Sequence, residues 1–320
     1  MFLTRIATAA FIALCALATS ACSTASYKEP EVTVSSRGYS YILQRGTGYT
    51  AHVHRAEGPG RNGRAPAVIL IGGSGGGIGW QDYVAALLAK RGINAMAVAY
   101  FAMDSLPNEL DRIPMEAFDR ALAWLSNQHY VDNKRLGMGA LSKGAEAALL
   151  LASAHPEIKA VGLFVPSGIV FQSVTGDFRK TSSWTRNGAE LPFVPYGNAP
   201  RGSPISEYYR EGLKSASPEL LAAATIPVER MNARLLLLSS ADDKLYASGE
   251  LAAMIVARLK ERRYAHPVES IIYPDAGHLI SSIRADDVTL RGGTKAGNDF
   301  AQADGQQRFL SFFQQALAGR

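Results

Sequence analysis

The chain has 320 residues, 47% of them hydrophobic and 19% charged, with a formal net charge of +5 at pH 7. This is a globular composition with room for one large α/β domain or two small ones. Its two cysteines, Cys15 and Cys22, both lie near the N-terminus, which excludes disulfides, a thiolate nucleophile and cysteine-based metal sites from the body of the protein.

The first residues read as an export signal. Arg5 precedes an apolar run from Ile6 to Leu17, then small residues, then Cys22. The run is short for a membrane span and has the layout of a cleaved leader. Thr19-Ser20-Ala21-Cys22 resembles a lipobox without the aliphatic residue three before the cysteine. The expectation is a lipoprotein-type signal over residues 1–21, a lipidated Cys22 as anchor, and a location on the periplasmic side of the bacterial envelope, with the membrane as partner. An ordinary secretory signal is the alternative. Removing residues 1–21 takes only Arg5 from the charged set, so the remainder stays mildly basic. It has no basic run interleaved with aromatics, so no nucleic-acid partner is expected.

Residues 22–30 read as a tether, and 31–320 as an α/β domain. "EVTVSS", "YSYILQR" and "YTAHVHR" alternate like antiparallel strands. After a Gly/Arg/Asn-rich turn, "AVILIGG" is a continuous run typical of a strand buried on both faces. "INAMAVAY" predicts a strand, and "MEAFDRALAWLSNQHY" an amphipathic helix with Phe118, Leu122 and Leu125 at helical spacing. "RLGMGAL" and "AVGLFVP" predict strands around a helix in "GAEAALLLASA". "RLLLLSS", "GELAAMIVARLKER", "VESIIYP" and "GQQRFLSFFQQAL" continue as strand, helix, strand and helix. Such alternation predicts a doubly wound, mostly parallel sheet. Residues 167–228 break the rhythm and read as a lid or a mobile insertion.

Ser142 follows a predicted strand and opens a predicted helix. Ala140-Leu141-Ser142-Lys143-Gly144 departs from the nucleophile elbow G-x-S-x-G only in its first residue. A serine alone there could equally cap the helix, so its meaning depends on partners. α/β-Hydrolases supply them in the order Ser, acid, His. The acid follows the strand "LLLLSS" as Asp242 or Asp243, and strand carboxyl ends are where such groups collect. Asp243 is favoured, because two residues and then the apolar Tyr246 follow. His278, after "SIIYPDAG", is the one histidine of six that comes both after the aspartates and after a late strand. The loop "GGSGGGIGW" occupies the place of an oxyanion loop. It assigns the backbone amides of Gly73 or Ser74, with that of Lys143, to the developing oxyanion. A phosphate cradle is the competing reading, but neither G-x-G-x-x-G nor a Gly-Lys-Ser/Thr is met. No metal and no organic cofactor are expected.

The stretches "GGGIGW…AALLAKRGINAMAVAYFAMDSLPNELDRIPMEAFDRALAWL", "LGMGALSKGAEAALLLAS", "SSADDKLY", "YPDAGH" and "GGTKAGNDFAQADGQQRFLSFF" resemble the catalytic domain of the acyl-CoA thioesterase / bile acid-CoA:amino acid N-acyltransferase family. The similarity runs from about Pro66 to Gln315. It implies an α/β-hydrolase fold, a triad of Ser142, Asp243 and His278, and a small acyl thioester or ester as substrate. The family's animal members carry an N-terminal β-sandwich, for which the stretch from Cys22 to Pro66 is too short, a sandwich needing ~100 residues. An exported chain would also not meet acyl-CoA in the cytoplasm, and the related dienelactone hydrolases cleave oxygen esters. Amide-forming members resemble this chain but use cysteine, so with Ser142 water is the expected acceptor. Acyl transfer to an amine or alcohol, and a silent acyl-binding lipoprotein, are the other readings.

Overall fold

The computed structural model describes residues 33–36, 39–58, 60, 62–281 and 291–318. Cys22, the leader and the tether lie outside them. Val32–Arg320 forms one compact unit. Among the described residues no helix is long and apolar enough to cross a membrane.

Three N-terminal strands, β1 (Thr33–Ser36), β2 (Tyr39–Gly46) and β3 (Tyr49–His54), form an antiparallel ribbon. β4 (Ala65–Ile71) enters the centre of the sheet, α1 (Gly79–Ala89) crosses over it, and β5 (Asn94–Ala99) returns beside β3. A two-residue strand β6 (Ile113–Pro114) leads into α2 (Met115–Ser126). β7 (Val131–Leu141), α3 (Lys143–Ala154) and β8 (Ile158–Phe164) follow. After an irregular stretch come β9 (Trp184–Arg186), β10 (Ala189–Glu190), α4 (Ile205–Ser215) and α5 (Pro218–Ala224). β11 (Arg234–Ser240), α6 (Ser248–Glu261), β12 (Val268–Tyr273) and α7 (Lys295–Ala316) complete the domain. The main sheet has nine strands in the order β1-β2-β3-β5-β4-β7-β8-β11-β12, parallel from β5 onward.

The central strands carry long apolar runs because both faces are covered there. Ala67, Ile69 and Ile71 of β4 face a core shared with α2, α3 and α6. Val68 and Leu70 face a second core shared with α1 and α7. The glycines of "LGMG" have a packing reason. A Cβ at Gly137 would lie 2.9 Å from the Phe313 ring, and one at Gly139 2.7 Å from the Phe309 ring. Bare backbone lets α7 lay two aromatic rings against the strands.

Residues 167–228 are neither strand-free nor unpacked. β9 joins β10 and β6 in a small separate sheet. Trp184 is fully buried in the main core, and Ile169, Phe171, Val194 and Tyr209 form a satellite cluster with Tyr246 and Leu251.

The ribbon is tied to α1 through a polar cluster. His52 Nδ1 and His54 Nε2 lie 2.9 and 2.8 Å from one oxygen of Asp82, and the Tyr41 ring stacks on His52. Burial pushes the Asp82 carboxyl up, but hydrogen bonds from the two imidazoles outweigh it and hold the group well below the usual carboxylate range. A carboxyl depressed by folding stabilises above its unfolded pKa, about 4, and loses that contribution as pH falls below it. Asp82→Asn is therefore expected to cost about 1–2 kcal/mol near neutrality and to flatten the acid branch of a plot of Tm against pH. Melts between pH 3 and 7 check this, and an unchanged acid slope refutes it.

Candidate active site

β7 ends at Leu141 and α3 begins at Lys143, so the chain must reverse at a single residue. That residue is Ser142, with φ 53° and ψ −125°. This is the first central position of a type II′ turn, where glycine is the usual occupant. The turn lifts the side chain clear of both elements. A Cβ at Gly144 would lie 2.2 Å from the Gly72 carbonyl oxygen, so the second glycine of the elbow is required by close packing. Ala140 lies inside β7, in register with Ile71 and Leu163. A strand residue there needs no glycine freedom, which explains why the alanine is accommodated.

Ser142 Oγ lies 3.1 Å from His278 Nε2. His278 Nδ1 lies 2.9 and 3.1 Å from the two carboxylate oxygens of Asp243. All three residues are buried. A carboxylate only accepts, so the imidazole proton sits on Nδ1 and leaves Nε2 to accept from the serine hydroxyl. Asp243 Oδ1 also accepts from the Leu245 and Tyr246 amides, each at 2.9 Å. Burial pushes the Asp243 carboxyl up, but the attraction of the His278 ring and the hydrogen bonds it receives prevail and hold it below its ordinary value.

The two neighbouring aspartates differ in direction. Asp242 faces away from His278 and accepts the Gly293 amide at 2.8 Å. His278 itself is fixed from behind, its amide donating to the Arg291 carbonyl at 2.8 Å. Three of the other histidines pair with carboxylates elsewhere. His52 and His54 meet Asp82, and His155 meets Asp119 and Glu157.

The glycine loop packs against the serine. A Cβ at Gly73 would lie 3.0 Å from that of Ser142. Gln81 holds the loop by donating to the Gly77 and Val98 carbonyls at 2.8 and 3.1 Å, and the Tyr100 hydroxyl donates to the Gly72 carbonyl at 2.8 Å. Gly73, Ser74, Ser142 and His278 line one cleft of about 630 Å³, walled by Trp80, Leu141, Leu245 and Leu279, with Arg291 also on its lining. The Lys143 amide opens α3, where no intrahelical acceptor precedes it. Among the described residues none from 167 to 228 lines this cleft. That segment packs through Phe171 and Trp184 onto the Lys143 and Glu146 side chains, at the start of the helix that follows the serine.

Sequence reasoning missed what lies beneath the serine. The Lys143 side chain turns inward, and its Nζ lies 2.8 Å from Glu146 Oε1, both residues being essentially inaccessible. Glu146 also accepts from Trp184 Nε1 at 2.8 Å and from the Tyr246 hydroxyl. Burial pushes the Lys143 ammonium down despite the pull of Glu146. The available signal was a lysine and a glutamate three apart, opening a helix that is otherwise small and apolar.

Residues 113–319 match the family model described as BAAT / Acyl-CoA thioester hydrolase C terminal. The chain is 30% identical over 272 residues to mouse acyl-coenzyme A thioesterase 5, covering 82% of this chain and 62% of that protein. It is 28% identical over 279 residues to rat acyl-coenzyme A thioesterase 1, with the same coverages. The chain therefore spans less than two thirds of the length of these relatives. A candidate dienelactone hydrolase from Klebsiella pneumoniae superposes with a TM-score of 0.55 at 18% identity, covering 89% of this chain and 97% of that one. A puromycin-hydrolyzing peptidase from Mycobacterium tuberculosis gives 0.55 at 16% identity, over 88% of this chain and 40% of its own. These likenesses identify the fold as that of an α/β-hydrolase. With the family match over more than half its length, the chain belongs to the BAAT / acyl-CoA thioester hydrolase C-terminal family.

Proposed function

We propose that this protein is a serine hydrolase that cleaves an acyl thioester or ester through a covalent acyl-enzyme. The observation that carries the reading is the unbroken hydrogen-bond chain from Ser142 through His278 to Asp243. Ser142 Oγ attacks the acyl carbonyl as His278 Nε2 takes its proton. The carbonyl oxygen becomes an oxyanion, held by the Lys143 amide and by that of Gly73 or Ser74. Asp243 holds the imidazole and stabilises its protonated form. His278 then returns the proton to the departing thiolate or alkoxide, which leaves Ser142 acylated. Water, deprotonated by the same imidazole, releases the acid and restores the serine.

The family favours a thioester, since the matched relatives are named as acyl-coenzyme A thioesterases. The nucleophile favours water as acceptor, because an oxygen ester resists amines better than a thioester does. Export, with lipid attachment at Cys22, belongs to the same proposal. Its support is the sequence of residues 1–22 alone.

The test is a panel of acyl-CoA thioesters and nitrophenyl esters of graded chain length, run with a fluorophosphonate probe. The expected result is release of free acid from at least one class, with loss of that activity in proportion to labelling. No turnover of either class and no labelling would overturn the reading.

A further inference from the structure

Lys143 and Glu146 are buried charges that the chemistry above leaves unused. Their surroundings account for every bond they can make. The Lys143 ammonium has three donors, and they meet Glu146 Oε1 at 2.8 Å and the carbonyls of Phe171 and Gln172 at 3.2 and 3.3 Å. Glu146 faces only donors: Lys143 Nζ, the Tyr246 hydroxyl, Trp184 Nε1 and the Phe171 amide. The two side chains thus form a salt bridge in the interior with every polar atom paired. Such pairs add little net stability, because desolvating two charges offsets their attraction, and well-packed apolar residues often replace them without loss. Stability alone therefore does not explain the pair.

Connectivity does. Lys143 is the residue after Ser142, and its amide is one of the assigned oxyanion donors. Tyr246 is three residues after Asp243, and its amide donates to Asp243 Oδ1 at 2.9 Å. One carboxylate thus binds the residue that presents the oxyanion amide and the residue that holds the orienting acid. Its other oxygen binds Trp184 and Phe171, which fixes the pair to the 167–228 segment. These three stretches meet nowhere along the chain.

Resting on the functional reading above, we propose that the Lys143–Glu146 pair is a positioning device that sets the elbow amide and the Asp243 loop in register, with residues 171–184 as its brace. Neither side chain touches substrate. The pair acts through the Lys143 main chain on one side and the Tyr246 main chain on the other. The inserted segment thereby supports the catalytic frame from beneath.

The test uses two variants of the full chain. Tyr246→Phe removes only the hydroxyl that reaches Glu146. Lys143→Met combined with Glu146→Gln removes both charges while keeping an acceptor for the tyrosine. Tyr246→Phe is expected to lower kcat about tenfold and the double variant about 100-fold, with KM within twofold, since sub-ångström misplacement of reacting groups is felt in the chemical step. The acid limb of kcat/KM against pH is expected to shift in both, because Asp243 loses its fixed relation to His278. A merely structural pair would change Tm and leave kcat, KM and the pH limb alone. The proposal is overturned if Tyr246→Phe folds and keeps kcat within twofold with an unmoved limb. Should the double variant not fold, Tyr246→Phe decides by itself. Parent and Ser142→Ala are assayed alongside. A parent without serine-dependent turnover sinks the functional reading and this one with it, whereas a serine-dependent parent with an indifferent Tyr246→Phe sinks this one alone.

Discussion

Ser142→Ala is expected to lower kcat by about 10⁵-fold or more on whichever ester or thioester the protein turns over best. On the proposed mechanism the hydroxyl is the atom that bonds to carbon, and it is the hydroxyl that His278 Nε2 meets. A residual rate remains, because the backbone donors and the binding surface still favour direct attack by water, typically by about 10³-fold over solution. The fold is expected to survive for two reasons. The hydroxyl makes one hydrogen bond, to His278, while the Ser142 amide keeps its own bond to the Phe164 carbonyl at 2.9 Å. Alanine also meets the positive φ with the same Cβ that serine has, so the turn is no more strained than before. Initial rates measured beside a thermal melt check both halves. A variant that folds normally and keeps more than one-hundredth of the parent rate would remove Ser142 from the chemistry.

The second large effect separates the neighbouring aspartates. Asp243→Asn is expected to lower kcat by about 10⁴-fold. The amide oxygen can still accept from Leu245 and Tyr246, so the loop keeps its shape. The amide nitrogen then faces His278 Nδ1 as a donor, which drives the imidazole proton to Nε2. The ring would present a proton to Ser142 where it must present a lone pair. Asp242→Asn keeps an acceptor for the Gly293 amide and is expected to leave kcat/KM within about twofold, as surface changes do. Steady-state kinetics on the two variants give the answer, and equal losses at both positions would refute the assignment.

Much of this was readable from residue order. The buried strands announce themselves as unbroken apolar runs, and the three site residues each follow such a run, because parallel strands deliver their carboxyl ends to one edge. Three things were less legible, each for a physical reason. α1 starts inside the glycine run, at Gly79, where local preference opposes helix and only packing imposes it. α7 begins at Lys295, ten residues before the apolar face that suggested it, because its first turns carry mostly small and polar residues, an exposed Phe300 and a Thr294 cap. Glu146 and Trp184 lie 38 positions apart and meet only through the tertiary fold. Periodicity describes one element at a time, so a contact of that kind leaves no trace in it. The choice between Asp242 and Asp243 was legible only as a preference, since both follow β11 at once and their difference is the direction of a side chain.

The backbone at Ser142 has a consequence for descent. A residue with a Cβ held in that conformation carries about 1–3 kcal/mol of strain that glycine would not. A duplicated copy relieved of the need for turnover would therefore gain robustness by drifting to glycine at this one codon. Serine in such a turn is a thermodynamic liability, one that the proposed use of its hydroxyl would offset.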